Sequence, residues 1–157
     1  MQSSMAEVDI RALPPNTYTF PELAPLHNAF HQGQYSHVLS LYGSRASTFS
    51  SSNTRPALIL QYRAQIALSE HDKVLSDPDV RKASSPDYEA VRILAQYAKS
   101  RGSEAGDGKA RDAASALAQK EGDNAGVQVC CGTVLAGVGA YQESVELLSR
   151  HQGSLDA

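Results

Sequence analysis

The chain has 157 residues, enough for one domain with a sizeable core, and is 41% hydrophobic. Its only aromatics are seven Tyr and three Phe, so the interior must be aliphatic and alanine-rich, which suits close-packed helices. A net charge of −3 gives no basic surface for nucleic acid, and two adjacent cysteines, Cys130 and Cys131, with no N-glycosylation sequon fit a reducing, cytosolic setting rather than a disulfide-stapled secreted fold.

Residues 1–20, with Pro14 and Pro15, lack a basic segment followed by an apolar run, so they read as a disordered leader and not as a secretory signal. From residue 21 to 157 the apolar positions fall at helical spacing. They run Leu23, Leu26, Phe30; then Val38, Leu41, Tyr42; then Ala57, Leu60, Ala64, Ala67, Leu68; and, further on, Val91, Leu94, Ala95, Ala98. Ala110, Ala113, Ala114, Leu117, Ala118 repeats i, i+3, i+4, i+7, i+8, as does Val127, Cys130, Cys131, Val134, Leu135. An amphipathic segment, Tyr141 to Arg150, follows. No β-branched alternation competes, so the fold class is all-α. The most apolar stretch, Val127 to Ala140, is shorter than the ~20 residues a membrane span needs and contains Gln128 and three glycines.

The breaks recur as well. Ser-rich Ser44 to Thr54 separates the second and third helices, Asp77 to Asp87 carries two prolines, and Gly102 to Gly108 reads as a flexible insertion. Pairs of helices with short turns indicate a repeat. A tetratricopeptide joint wants a small residue, one further residue, then an aromatic opening the second helix. Gly33-Gln34-Tyr35 and Gly139-Ala140-Tyr141 fit, 106 residues apart and thus about three 34-residue periods. Ser69-Glu70-His71 is a weaker copy. In this register Gly132 occupies the small position where the last two helices cross. The expected architecture is a tetratricopeptide-like right-handed α-solenoid of about four antiparallel helix pairs, in which no pair buries its apolar face alone.

Leu26-His27-Asn28-Ala29-Phe30 followed by Gly33-Gln34-Tyr35 resembles the opening helical pair of the coatomer epsilon subunit family. Arg63 to Leu68 with Val74-Leu75, Glu89 to Tyr97, and His151-Gln152-Gly153-Ser154-Leu155 are similar to later segments of that family, in the same order and spacing. The likeness covers residues 21–157 and fades in Ser44 to Thr54 and Gly102 to Gly108. It implies a non-catalytic scaffold of the COPI vesicle coat, bound to the C-terminal domain of the alpha subunit and through it to the other coatomer subunits. That role lies in Golgi-to-ER and intra-Golgi transport, in the cytoplasm and on Golgi membranes and COPI-coated vesicles, with membrane contact only through the coat. It also implies that the chain corresponds to an N-terminal half, with the terminal HQGSLDA a connector.

No constellation for catalysis or a cofactor emerges. His27 and His31 are spaced i, i+4 with His37 nearby, but the glutamate of a zinc protease and a further ligand are absent, so these residues read as a polar helix face. Cys130 and Cys131 fall on a buried stripe and read as structural. Gly108-Lys109 lacks both the first glycine of a phosphate loop, where Ser103 stands, and its Ser/Thr, where Ala110 stands. The competing function is a tetratricopeptide adaptor binding a peptide or chaperone partner, which requires Lys, Arg and Asn converging from successive first helices. In the register set by Gly33 and Gly139, Phe30, Arg63, Arg92 and Gln96 are expected to project onto the concave face and contact the partner.

Overall fold

The structure, a computed structural model, describes residues 22–150. The leader 1–20 and the connector 151–157 lie outside the described residues. Within them are nine helices and no strand: α1 (Ala24–His31), α2 (Tyr35–Arg45), α3 (Ser51–Ala67), α4 (His71–Ser76), α5 (Pro78–Lys82), α6 (Pro86–Ser100), α7 (Glu104–Glu121), α8 (Ala125–Gly137) and α9 (Tyr141–Leu148). The first helices of the pairs form a row, α1 against α3, α3 against α6, α6 against α8. The second helices α2, α4 and α7 each pack on their own partner and on the first helix of the next pair. This is the all-α, tetratricopeptide-like stack expected from the sequence.

The turn inside each pair is built alike. A residue in the left-handed region stands at Gly33 (φ 73°), Ser69 (φ 64°), Gly102 (φ 91°) and Gly139 (φ 83°). At three of the four, the next amide donates to the carbonyl five residues back: Gln34 to Ala29 (2.8 Å), Glu70 to Gln65 (2.9 Å) and Ala140 to Leu135 (2.8 Å). That closure satisfies carbonyls the helix end leaves open and turns the chain back on itself.

Gly102 marks a correction. The stretch Gly102 to Gly108 is not a flexible insertion: Gly102 is the third joint, and α7 begins at Glu104, taking in Gly106 and Gly108. Ser103 caps the helix by accepting from the Gly106 amide (3.1 Å), and Glu104 and Asp107 in the first turn complement its positive end. A Cβ on Gly106 would lie 2.7 Å from Ser100 Oγ, so glycine here admits close approach to α6.

Two other breaks are also partly helical. Asp77 accepts from the amides of Asp79 (2.9 Å) and Val80 (3.4 Å), starting the short α5 that Ala83, at φ 48°, ends. The second member of the second pair is thus split into α4 and α5 by Pro78. In the Ser-rich stretch, α3 starts at Ser51, upstream of the apolar positions, with Pro56 inside it. Its N-terminus is capped by a residue distant in sequence: the Glu22 carboxylate accepts from Ser50 N (3.0 Å), Ser50 Oγ (2.8 Å) and Asn53 Nδ2 (2.6 Å).

The core has two parts. Leu23, Leu26, Ala29, Val38, Ala57, Leu60 and Ala64 fill the first pair and its contact with α3. A larger cluster runs from Ile59 through α6 and α8 to Leu147. Helix α8 is buried along most of its length, and its glycines admit its neighbours. At Gly132, as the repeat register requires, a Cβ would lie 2.9 Å from Leu148 Cγ, and the carbonyl accepts from Ser144 Oγ (2.8 Å). Helix α9 buries Ser144 and Leu147 and lays Leu148, still 39% exposed, against Gly132, while Tyr141 (69%) and Val145 (66%) remain exposed on its outer face.

Candidate functional site

The row of first helices forms the inner surface of the stack, and its residues are set by helical spacing on α3. Ser52, Arg55, Ile59 and Arg63 follow one another at three or four residues, hence along one stripe. Facing the stripe are Asp87 at the start of α6 and Asn124, Ala125, Gly126 and Val129 at the start of α8. Together they enclose a groove of about 290 Å³ whose apolar floor includes Ile59, Leu60 and Val129.

Two arginines flank the groove and differ in their surroundings. Arg55 lies 3.6 Å from the Asp87 carboxylate and 5.4 Å from the Tyr88 ring centroid. Tyr88 meets Tyr62 edge-on at 6.5 Å, and Tyr62 donates to Asp77 Oδ2 (2.8 Å). Burial, reinforced by that hydrogen bond, holds the Tyr62 phenol well above its ordinary pKa, so Tyr62 remains a donor to Asp77. Gly126 makes room for Asp87: a Cβ there would sit 2.6 Å from Oδ1. Arg63, half-buried, stacks over the Phe30 ring with Cζ 4.4 Å from the centroid. Phe30 in turn packs edge-on against Tyr35 at 5.3 Å. Among the described residues no carboxylate lies within ion-pair distance of Arg63.

Of the four residues expected on the concave face, the structure therefore brings two together, Phe30 and Arg63. Arg92 and Gln96 are elsewhere. Starting from Asp87, which faces the groove, Arg92 is five residues on and about 140° around α6, and Gln96 is nine residues on and about 180° around. Arg92 Nη1 donates to the Arg81 carbonyl at the end of α5 (3.4 Å). Gln96 lines a separate, wider depression between α6 and α7 with Lys99 and Lys109. Their placement follows from the seating of α6: its inner stripe does not continue that of α3, because Val91 and Leu94 turn its apolar face into the core. Arg55 and Asp87 are site residues that the sequence reading misses. Arg55, Ile59 and Arg63 share one helical face in the sequence, but Pro56 suggests that α3 has not yet begun.

The remaining chemistry-bearing residues are placed as follows. The His27 and His31 rings stack 6.1 Å apart on α1, with His27 buried; His37 is exposed on α2. Among the described residues no group of three or more His, Cys, Asp or Glu is arranged to hold a metal ion. Cys130 and Cys131 are buried, and burial, with the adjacent Cys130 adding to it, pushes the Cys131 thiol up to about 12, leaving it protonated and unreactive at neutral pH. No described helix is long and apolar enough to cross a membrane.

A family model for the coatomer epsilon subunit matches residues 20–157. Searches of curated proteins and of solved structures gave no match. The family match runs through all four helix pairs and their joints, from the segment before α1 to the residues beyond α9. On that coverage the chain belongs to the coatomer epsilon subunit family.

Proposed function

We propose that the chain is a non-catalytic scaffold of the COPI coat that docks the C-terminal domain of the coatomer alpha subunit on its inner surface, in support of Golgi-to-ER and intra-Golgi transport. Family membership assigns it to a coat of several subunits on Golgi vesicles. The observation that carries the finer reading is the inner surface itself: Phe30 and Arg63 stacked on adjacent first helices beside an apolar groove. An aromatic and an arginine in such a setting are the residue types that most often dominate interface energetics. An adaptor for acidic chaperone tails would need a convergent cationic clamp. Here Arg55 is matched by Asp87, and the Asn124 side chain caps α8 by accepting from the Val127 amide (3.1 Å).

Affinity capture from cytosol on the immobilised chain separates these readings. Recovery of coatomer, with its alpha subunit enriched over the others, is expected. Chaperones in its place would establish the adaptor instead, and recovery of neither would remove both.

A further inference from the structure

The groove beside Arg63 has a chemical character more specific than a docking face. Its volume, about 290 Å³, sits at the lower edge of ligand-pocket sizes, so it admits one or two side chains rather than a cofactor. Its floor is aliphatic, from Ile59, Leu60 and Val129. Its charges are two arginines and one aspartate, and the aspartate is occupied by Arg55. Among the described residues that leaves one uncompensated cation lining the groove, Arg63, although the chain as a whole carries −3. The Phe30 ring covers one face of that guanidinium. An arginine held over a ring loses less freedom when its N–H edges fork onto a carboxylate, and partial desolvation strengthens that bond.

Resting on the reading that a partner docks on this inner surface, we infer that the groove takes an acidic, aliphatic peptide segment of that partner. One Leu, Ile or Val side chain enters between α3 and α8, and an Asp or Glu close to it in sequence pairs with Arg63. Arg55, tied to Asp87 and stacked near Tyr88, sets the wall of the groove and neutralises the carboxylate that would otherwise draw a basic segment. An extended polyanion is disfavoured by the apolar floor and by Asp87 itself.

The test uses the whole chain and fluorescein-labelled overlapping peptides spanning the C-terminal domain of the alpha subunit. Each peptide is paired with a counterpart in which Asp and Glu are replaced by Asn and Gln, and binding is read by fluorescence anisotropy at low and high salt. The expected result is that binding peptides place an aliphatic residue near an acidic one and weaken as salt rises. Binding should fall about tenfold or more with the neutral counterpart or with Arg63→Gln, fall by a smaller factor with Arg63→Lys, which keeps the charge but neither the fork nor the stacking, and be unaffected by Gln96→Ala. Should Arg63→Gln melt early, the neutral-counterpart comparison on the unaltered chain decides alone. Equal binding of acidic and neutral peptides, or no peptide binding, overturns the assignment. Titration of the intact alpha-subunit domain is read separately, so that docking without this groove chemistry is recognised as such.

Discussion

At Gly132 two helices come closer than a side chain allows, since a single added Cβ would already lie 2.9 Å from two carbons of Leu148. Leu148 is part-exposed and has some room to yield, but the Ser144 hydroxyl bonded to the Gly132 carbonyl holds α9 in place. Gly132→Leu should therefore cost roughly 1–3 kcal/mol, a loss of several degrees in melting temperature for a chain of this size. An unaltered melting temperature would show that α8 and α9 do not cross here. Ser69 presents the opposite case. It fills a joint that glycine fills in the other three pairs, at φ 64°, where an L side chain costs about 1–2 kcal/mol. Ser69→Gly relieves that strain against a loss of about 0.5–1 kcal/mol in unfolded-chain entropy, so a small rise in melting temperature is expected. A fall would mean that the serine side chain contributes more than its backbone geometry costs.

Among the elements, those with strong periodicity are legible in the amino-acid sequence: α7 and α8 at their apolar positions, and the joints at Gly33 and Gly139. The helix starts are not, because they depend on caps and not on apolar spacing. Pro56 and the serines before it read as a connector, yet the Glu22 carboxylate, from just ahead of α1, supplies the cap that lets α3 begin at Ser51. A pairing between residues so far apart in sequence leaves no local signature. Gly102 to Gly108 is misread for a related reason: Ser103 caps a helix that its glycines disfavour, and close packing against Ser100 requires Gly106 all the same. The Glu22 cap carries a pH signature. Hydrogen bonds from Asn53 first and Ser50 next lower its pKa below the ordinary 4.5. A depressed folded-state pKa contributes stability that is present above about 4.5 and is lost as pH falls through the folded value. Asp72, held down by Lys99, and Glu143, held down by Ser115 and then Arg111, act in the same direction. Glu22→Gln should thus lower the melting temperature at neutral pH, and the gap from the unaltered chain should narrow as the pH falls below the ordinary 4.5 and through the depressed folded-state value. A gap independent of pH would remove the ionised cap as the reason α3 starts where it does.

For the molecule as a whole, each pair covers the apolar face of the one before it, and this one-dimensional dependence is what makes an inner surface out of successive first helices. The same logic leaves Tyr141 and Val145 exposed on α9, the outermost described helix. The four-pair plan is readable from the spacing of Gly33 and Gly139, though the third joint at Gly102 is not, and the inner face is readable only in part. Helical spacing puts Arg63 on it, whereas the rotation of α6, which carries Arg92 and Gln96 away, is decided by how Val91, Ile93 and Leu94 seat in the core. The central claim is that Phe30 and Arg63 mark a docking surface for the alpha subunit. Titration calorimetry of this chain with the isolated C-terminal domain of the alpha subunit tests it directly, with Arg63→Ala and Arg92→Ala compared under the same conditions. The account predicts measurable binding that weakens with Arg63→Ala by more than ~1 kcal/mol, roughly fivefold or more, while Arg92→Ala leaves it nearly unchanged. Absence of binding, or a loss caused by Arg92→Ala and not by Arg63→Ala, would contradict it.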